Sequence, residues 1–170
     1  GGVGKTTLAD AVYHRLSSKF EASCFLANVR EESEKHGLNY LRNVLIREIL
    51  KEKDLDISTP TIGSTSVRER LSHTKALIVL DDVNASRQLE LLLGDHVRFG
   101  PGSQIIITTR DKRLLKRSVD KIYEVKGLSW EESLELFHLH AFKNNSTESC
   151  CAELLGTVVD YAGGVPLAIT

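Results

Sequence analysis

The chain has 170 residues, 41% hydrophobic and 26% charged, which suffices for one ordinary domain with a core, or one domain and part of a second. A formal net charge of -1 provides no global field that favours nucleic acid or an anionic membrane. The longest apolar runs, such as Ala76–Leu80 and Ile105–Ile107, are too short to span a bilayer, and no basic start followed by an apolar stretch marks a secretory signal. The three cysteines, Cys24 in an apolar run and the adjacent Cys150 and Cys151, give no disulfide framework and read as thiols of a reduced, intracellular protein. His138 and His140 stand two apart on a predicted helix and point to different faces, which argues against a shared metal.

In chain order, the glycine-rich turn Gly1–Gly4 runs into Lys5-Thr6-Thr7, after which Leu8, Ala11, Val12 and Leu16 recur at helical spacing. The apolar run Ala22–Val29 predicts a buried strand. Gly37 opens a second helix, with Leu41, Val44, Leu45 and Ile49 on one face. Asp54–Ser66, polar and carrying Pro60 and Gly63, reads as a loop, and a short amphipathic helix follows around Val67–Ser72. Lys75–Leu80 is an almost continuous apolar strand ending at Asp81-Asp82. Ser86–Leu93 reads as a helix, Gly100–Ser103 as a turn, Gln104–Thr109 as a buried strand ending at Arg110, and Lys121–Val125 as a last strand.

Strands that are apolar throughout and alternate with amphipathic helices predict an α/β, doubly wound parallel sheet covered on both faces. Beyond Gly127 the pattern is helical only. Ser129 with Glu132 fits a capping box, Leu134, Phe137 and Ala141 form a stripe, and a helix over Cys150–Ala162 stops at Gly163-Gly164. Pro166 and Leu167–Ile169 begin another helix. The predicted division is 1–127 for a nucleotide-binding α/β domain and 128–170 for a small helical subdomain.

GGVGKTT, Gly1–Thr7, is the second half of the phosphate-binding pattern G-x-x-x-x-G-K-S/T. Glycines let successive backbone N–H groups curl around a phosphate where a side chain would collide. The helix N-terminus behind them carries partial positive charge that favours an anion. Lys5 reaches β- and γ-phosphates as a point charge, and Thr6 offers a hydroxyl to Mg²⁺. KALIVLDDV, Lys75–Val83, is an apolar strand ending in two carboxylates: Asp81 suits Mg²⁺, held through water, and Asp82 suits the attacking water. Arg110, at the carboxyl end of another buried strand, is placed where ligands bind in open parallel sheets and presents a fork for a terminal phosphate.

The ordered set GGVGKTT, FLANVRE, KALIVLDDVN, GSQIIITTRDKRLL, YEVKGLSWEESLELFHLHAFK and GGVPLAI resembles the NB-ARC domain of plant disease-resistance proteins, a group of nucleotide-switch ATPases that also includes the animal apoptotic-protease activating factor. The resemblance covers essentially the whole chain. Asn84, where the coiled-coil subclass usually has Trp, and the segment FLANVREESEKHGLNYLRNVLIREIL are similar to the subclass with an N-terminal TIR domain. The resemblance implies that Gly2, Val3, Gly4, Lys5, Thr6 and Thr7 form the phosphate loop and that Thr6 and Asp81 bind Mg²⁺. It further implies that Lys5, Asp82 and Arg110 carry hydrolysis, with Arg110 sensing the γ-phosphate, and that Pro166 packs near the base of ADP. Val165 stands where the family's GLPLA motif has Leu.

The implied function is an ATP/ADP-binding switch with slow ATPase activity, off with ADP and on with ATP, in defence signalling. The implied partners are adenine nucleotide, TIR and leucine-rich-repeat domains of the same protein, and further copies in an ATP-driven oligomer, with no nucleic acid and no membrane span. The implied location is the cytoplasm, with the nucleus as an alternative. Both termini fall inside motifs, and a strand is expected before the phosphate loop, so these residues alone are expected to bind nucleotide weakly. Two other readings compete. A metabolic or nucleic-acid P-loop enzyme lacks support, because no lid-like Arg cluster or basic, aromatic-interleaved stripe is present. An interaction module with a decayed site is disfavoured by the intact Lys5, Thr6, Asp81, Asp82 and Arg110.

Overall fold

The computed structural model describes residues 1–52, 65–94, 98–115, 119–141 and 152–169. The chain divides into two compact units, Thr6–Asp120 on the one hand and Gly1–Lys5 with Lys121–Thr170 on the other.

In Thr6–Asp120, three strands pair in parallel in the order β1 (Ala22–Leu26), β2 (Ala76–Val83), β3 (Gln104–Thr109). Ala76–Leu80 of β2 are wholly inaccessible to solvent, which is why this strand shows no polar alternation. β1 alternates instead. Ala22, Cys24 and Leu26 join one core with Leu41, Leu45, Ile46 and Ile49, which recur at helical spacing along α3 (Leu38–Leu50). Ser23 and Phe25 face α1 (Lys5–Leu16), where Tyr13 donates its hydroxyl to Ser23 Oγ at 3.1 Å and meets Phe25 edge-on at 5.5 Å. Helices therefore cover both faces of the sheet at β1 and β2, the α/β arrangement expected from the pattern. The strand predicted as buried over Gln104–Thr109 is instead an edge of the described sheet, with Ile105 42% exposed and only Thr108 buried.

The strand predicted over Ala22–Val29 ends at Leu26. Asn28 turns the chain in the left-handed region (φ 49), which Asn tolerates better than most residues, and Val29 opens α2 (Val29–His36). Val29 is fully buried, so its apolar character reads equally well as the end of a strand. The rest of α2 is charged, with Glu31 and Glu32 in the first turn favouring the helix N-terminus and Lys35 pairing with Glu31 at 2.9 Å one turn on. Most of the predicted loop Asp54–Ser66 lies outside the described residues. The helix after it, α4, spans Thr65–His73, and α5 spans Ser86–Leu93. The turn at Gly100–Ser103 closes with Ser103 N–H donating to Gly100 O at 3.2 Å, and Ser103 Oγ accepts from Ala76 N–H at 2.9 Å, pinning the start of β2.

The second unit contains α6 (Trp130–Ala141) and α7, described over Ala152–Ala162. The expected capping box is present: Ser129 N–H donates to Glu132 Oε2 at 2.8 Å and Glu132 N–H to Ser129 Oγ at 3.2 Å. Leu134 and Phe137 are half-buried, as a stripe should be, whereas the side chain of Ala141 and the Cys150-Cys151 pair lie outside the described residues. After Gly163-Gly164, Pro166–Ala168 make one tight helical turn. The strand predicted at Lys121–Val125 does not form; residues 119–129 carry neither helix nor strand. Ile122 and Tyr123 are exposed there, so the apolar pair buries neither side chain and finds no ladder among the described residues.

Two outcomes test this packing. Leu45→Ala, at a site with no solvent exposure, is expected to destabilise the fold by about 3 kcal/mol, read from the urea unfolding midpoint. Burial, with the Glu48 charge nearby, pushes the Cys24 thiol from 9.0 up to about 12. The folded thiol thus holds its proton, and its contribution to stability is complete below pH 9.0 and falls as pH rises toward about 12. Peptide mapping after alkylation at pH 8 is expected to find Cys24 unmodified in the native protein and modified in urea.

Candidate functional site

The carboxyl end of β2 departs from regular strand geometry. Leu80 pairs with Ile107 and Val83 with Thr109, so Asp81 and Asp82 together lie opposite Thr108, and the extra residue is a β-bulge. Asp82 has a φ of 54, a left-handed conformation that costs a non-glycine residue roughly 1 kcal/mol. The bulge re-aims two consecutive carboxylates that a flat strand would send to opposite faces.

Asp81 is 1% exposed and accepts from two hydroxyls: Thr108 Oγ1 at 2.6 Å, and Thr6 Oγ1, whose one proton is shared between Oδ1 at 2.9 Å and Oδ2 at 3.1 Å. Thr108 Oγ1 also accepts the Asp82 N–H at 2.9 Å. One threonine hydroxyl therefore holds the side chain of the first aspartate and the backbone of the second. Among the described residues no cationic side chain pairs with Asp81. A buried carboxylate held only by neutral hydroxyls lacks the counter-charge that such a position ordinarily requires.

Asp82, by contrast, faces two guanidiniums. Arg110 Nε lies 3.3 Å from Oδ1, and Arg30 Nη2, from α2, lies 3.3 Å from Oδ2. Beyond the bulge, the buried side chain of Gln88 secures the turn into α5. Its Oε1 accepts from Asn84 N–H at 2.9 Å and Ala85 N–H at 3.1 Å, and its Nε2 donates to Asn84 Oδ1 at 2.8 Å and Ser33 Oγ at 3.1 Å. All four capacities of the amide used here tie the strand end to α2 and α5.

In the other unit, the loop Gly1–Gly4 precedes Lys5, the first residue of α1. Gly2 and Gly4 have φ values of 82 and 86, where side chains are strained. Gly2 O accepts from Leu167 N–H at 3.3 Å, and a Cβ on Gly2 would lie 3.0 Å from Val165 Cγ1 and 3.1 Å from Leu167 Cβ. The residues flanking Pro166 thus close directly on the loop; Val3 lies within that loop, and Thr7 follows Thr6 in the first turn of α1.

The loop, the paired carboxylates after an apolar parallel strand and the arginine at the next strand's end all fall within residues 1–147, which match a profile for the NB-ARC domain. This chain belongs to the NB-ARC family. As such it is a P-loop NTPase domain. Over 99% of its length the NB-ARC chain is 44% identical to disease resistance protein RUN1 of Vitis rotundifolia, 43% identical to TMV resistance protein N of Nicotiana glutinosa and 42% identical to disease resistance-like protein DSC1 of Arabidopsis thaliana. It spans 13%, 15% and 14% of those relatives' lengths, respectively. No helix among the described residues is long and apolar enough to cross a membrane.

The donor set fits Mg²⁺: a hard carboxylate and a threonine hydroxyl converge, and no cationic side chain among the described residues pairs with the carboxylate. Sequence reasoning located both aspartates and Arg110 but missed Thr108, Arg30 and Gln88. The available signals were the Thr pair before Arg110 and the four-residue spacing of Asn84 and Gln88. Thr108→Val removes the 2.6 Å donor to Asp81 and strands the Asp82 N–H, so we expect roughly 2 kcal/mol loss in chemical denaturation, with Thr108→Ser close to wild type.

Proposed function

We propose that this NB-ARC domain is the ATP/ADP switch of an intracellular plant immune receptor, off with ADP and on with ATP, with slow hydrolysis as the reset. The observation that carries the reading is Asp81, buried without a counter-charge among the described residues and hydrogen-bonded to the hydroxyl of Thr6, the residue after the phosphate-loop lysine. A buried charge left in that state stabilises the apo fold poorly and gains most when a cation arrives.

In this reading the backbone of Gly2, Val3 and Gly4 and the first turn at Lys5, Thr6 and Thr7 take the phosphates. Lys5 neutralises the β- and γ-oxygens. Thr6 and Asp81 hold Mg²⁺, which supplies charge neutralisation across the β- and γ-phosphates. Asp82 orients the attacking water, Arg110 distinguishes a third phosphate from its absence, and Pro166 packs on the base. A γ-phosphate shifts the balance of states only through a difference in its affinity for them, and Arg110 is the group that supplies such a difference. TIR and leucine-rich-repeat domains of the whole protein, ATP-driven oligomers and a cytoplasmic or nuclear location complete the proposal. The disease-resistance relatives support it, as does the presence of Lys5, Thr6, Asp81, Asp82 and Arg110 together in the chain.

Calorimetry on the full-length protein tests this. Mg·ATP and ADP are expected to bind at micromolar affinity or tighter, and Lys5→Ala to abolish both. Arg110→Ala is expected to remove the preference between the two nucleotides while ADP binding persists. A folded protein that binds neither nucleotide would instead favour an interaction module. An unchanged preference in Arg110→Ala would remove Arg110 as the sensor.

A further inference from the structure

Helix α2 has no part in the nucleotide chemistry described above, yet it places a second guanidinium on the water-orienting carboxylate. Arg30 Nη2 and Arg110 Nε stand at the same 3.3 Å from the two oxygens of Asp82. Their supports differ. Arg110 follows the end of β3 with a side chain 59% exposed, whereas Arg30 is less exposed, at 41%. Arg30 also sits on an anchored helix turn: its carbonyl accepts from Ser33 Oγ at 2.8 Å, and that same Oγ accepts from Gln88 Nε2 at 3.1 Å. Gln88 holds the backbone of Asn84 and Ala85, directly beyond the Asp82 bulge. Strand end and helix turn are thus joined through one amide, and Arg30 reaches Asp82 from a fixed base.

One carboxylate cannot retain two guanidiniums when a more highly charged anion arrives beside it. A terminal phosphate takes the fork-shaped donor within reach through bidentate, charge-assisted bonds. The donor positioned to leave is the more exposed one, Arg110. Asp82, in its left-handed bulge conformation, then needs another group to hold its side chain.

We propose that Arg30 is a positioning residue for Asp82. With ADP both guanidiniums rest on the carboxylate, and with ATP Arg110 transfers to the third phosphate while Arg30 keeps Asp82 aimed at the attacking water. The assignment rests on the nucleotide-switch reading above. It separates the two arginines by function: Arg110 governs discrimination between ATP and ADP, and Arg30 governs the rate of hydrolysis.

The test is a mutant cycle in the full-length protein, read by single-turnover hydrolysis of Mg·ATP, with ADP affinity from calorimetry reporting the fold. Arg30→Ala is expected to leave ADP affinity unchanged and to slow the chemical step roughly tenfold, with a smaller effect on KM for ATP. Arg30→Lys restores part of the rate through its point charge. In an Asp82→Asn background, Arg30→Ala is expected to cause no further loss, because it acts through that carboxylate. An unchanged rate in Arg30→Ala, an equal loss in the Asp82→Asn background, or loss of ADP binding along with the rate would each overturn the assignment while the switch reading stands. A wild-type protein that binds neither nucleotide would overturn the switch reading, and this assignment with it.

Discussion

A negative charge placed where solvent cannot reach it is the constraint around which the larger unit is organised. Asp81 is 1% exposed at the end of a strand whose first five residues are wholly buried. Nothing cationic among the described residues answers it, so hydroxyls do, and their positions dictate much else. Thr108 must stand opposite the bulge, which sets the register of β3 against β2. Thr6 must sit in the first turn of α1, which sets where that helix begins. The bulge lets one threonine serve both aspartates, at the cost of a left-handed residue.

The second layer of control is polar and reaches outward from the strand. Gln88 spends its amide on two backbone N–H groups and two side chains, so the turn after β2, the start of α5 and the middle of α2 behave as one piece. A fully satisfied buried amide of this kind specifies one arrangement more sharply than apolar packing does, since any slip leaves donors unpaired. The arginines at Asp82 sit on the rim of this rigid piece, where charge can be rearranged without disturbing the core.

Much of this was legible in the residues, and what escaped did so for physical reasons. The strand at Ala76 declared itself because burial on both faces removes polar alternation, whereas the equally apolar run at Gln104 forms a strand that is half-exposed at the edge of the described sheet. The phosphate loop, the adjacent aspartates and Arg110 were legible because their spacing is local. Helix α2 was not, because a charged segment with one buried valine carries no apolar stripe. The false strand at Lys121–Val125 had a short apolar run but found no ladder to join among the described residues. The bulge left no trace in composition, because Asp-Asp reads alike in a flat or kinked strand. Thr108 and Thr6 meet Asp81 across 27 and 75 residues of chain, separations that no window of local pattern spans.

The hydrogen bond from Leu167 N–H to Gly2 O joins positions separated by nearly the whole chain. Closing so long a loop is entropically costly and slow relative to local helix formation. On a ribosome the glycine loop emerges ahead of β1, β2 and β3, and the Val165–Leu167 segment that clamps it follows all three. The loop's final shape is therefore acquired late, and a nascent chain carries β1, β2 and β3 before it carries the segment that closes the phosphate cradle.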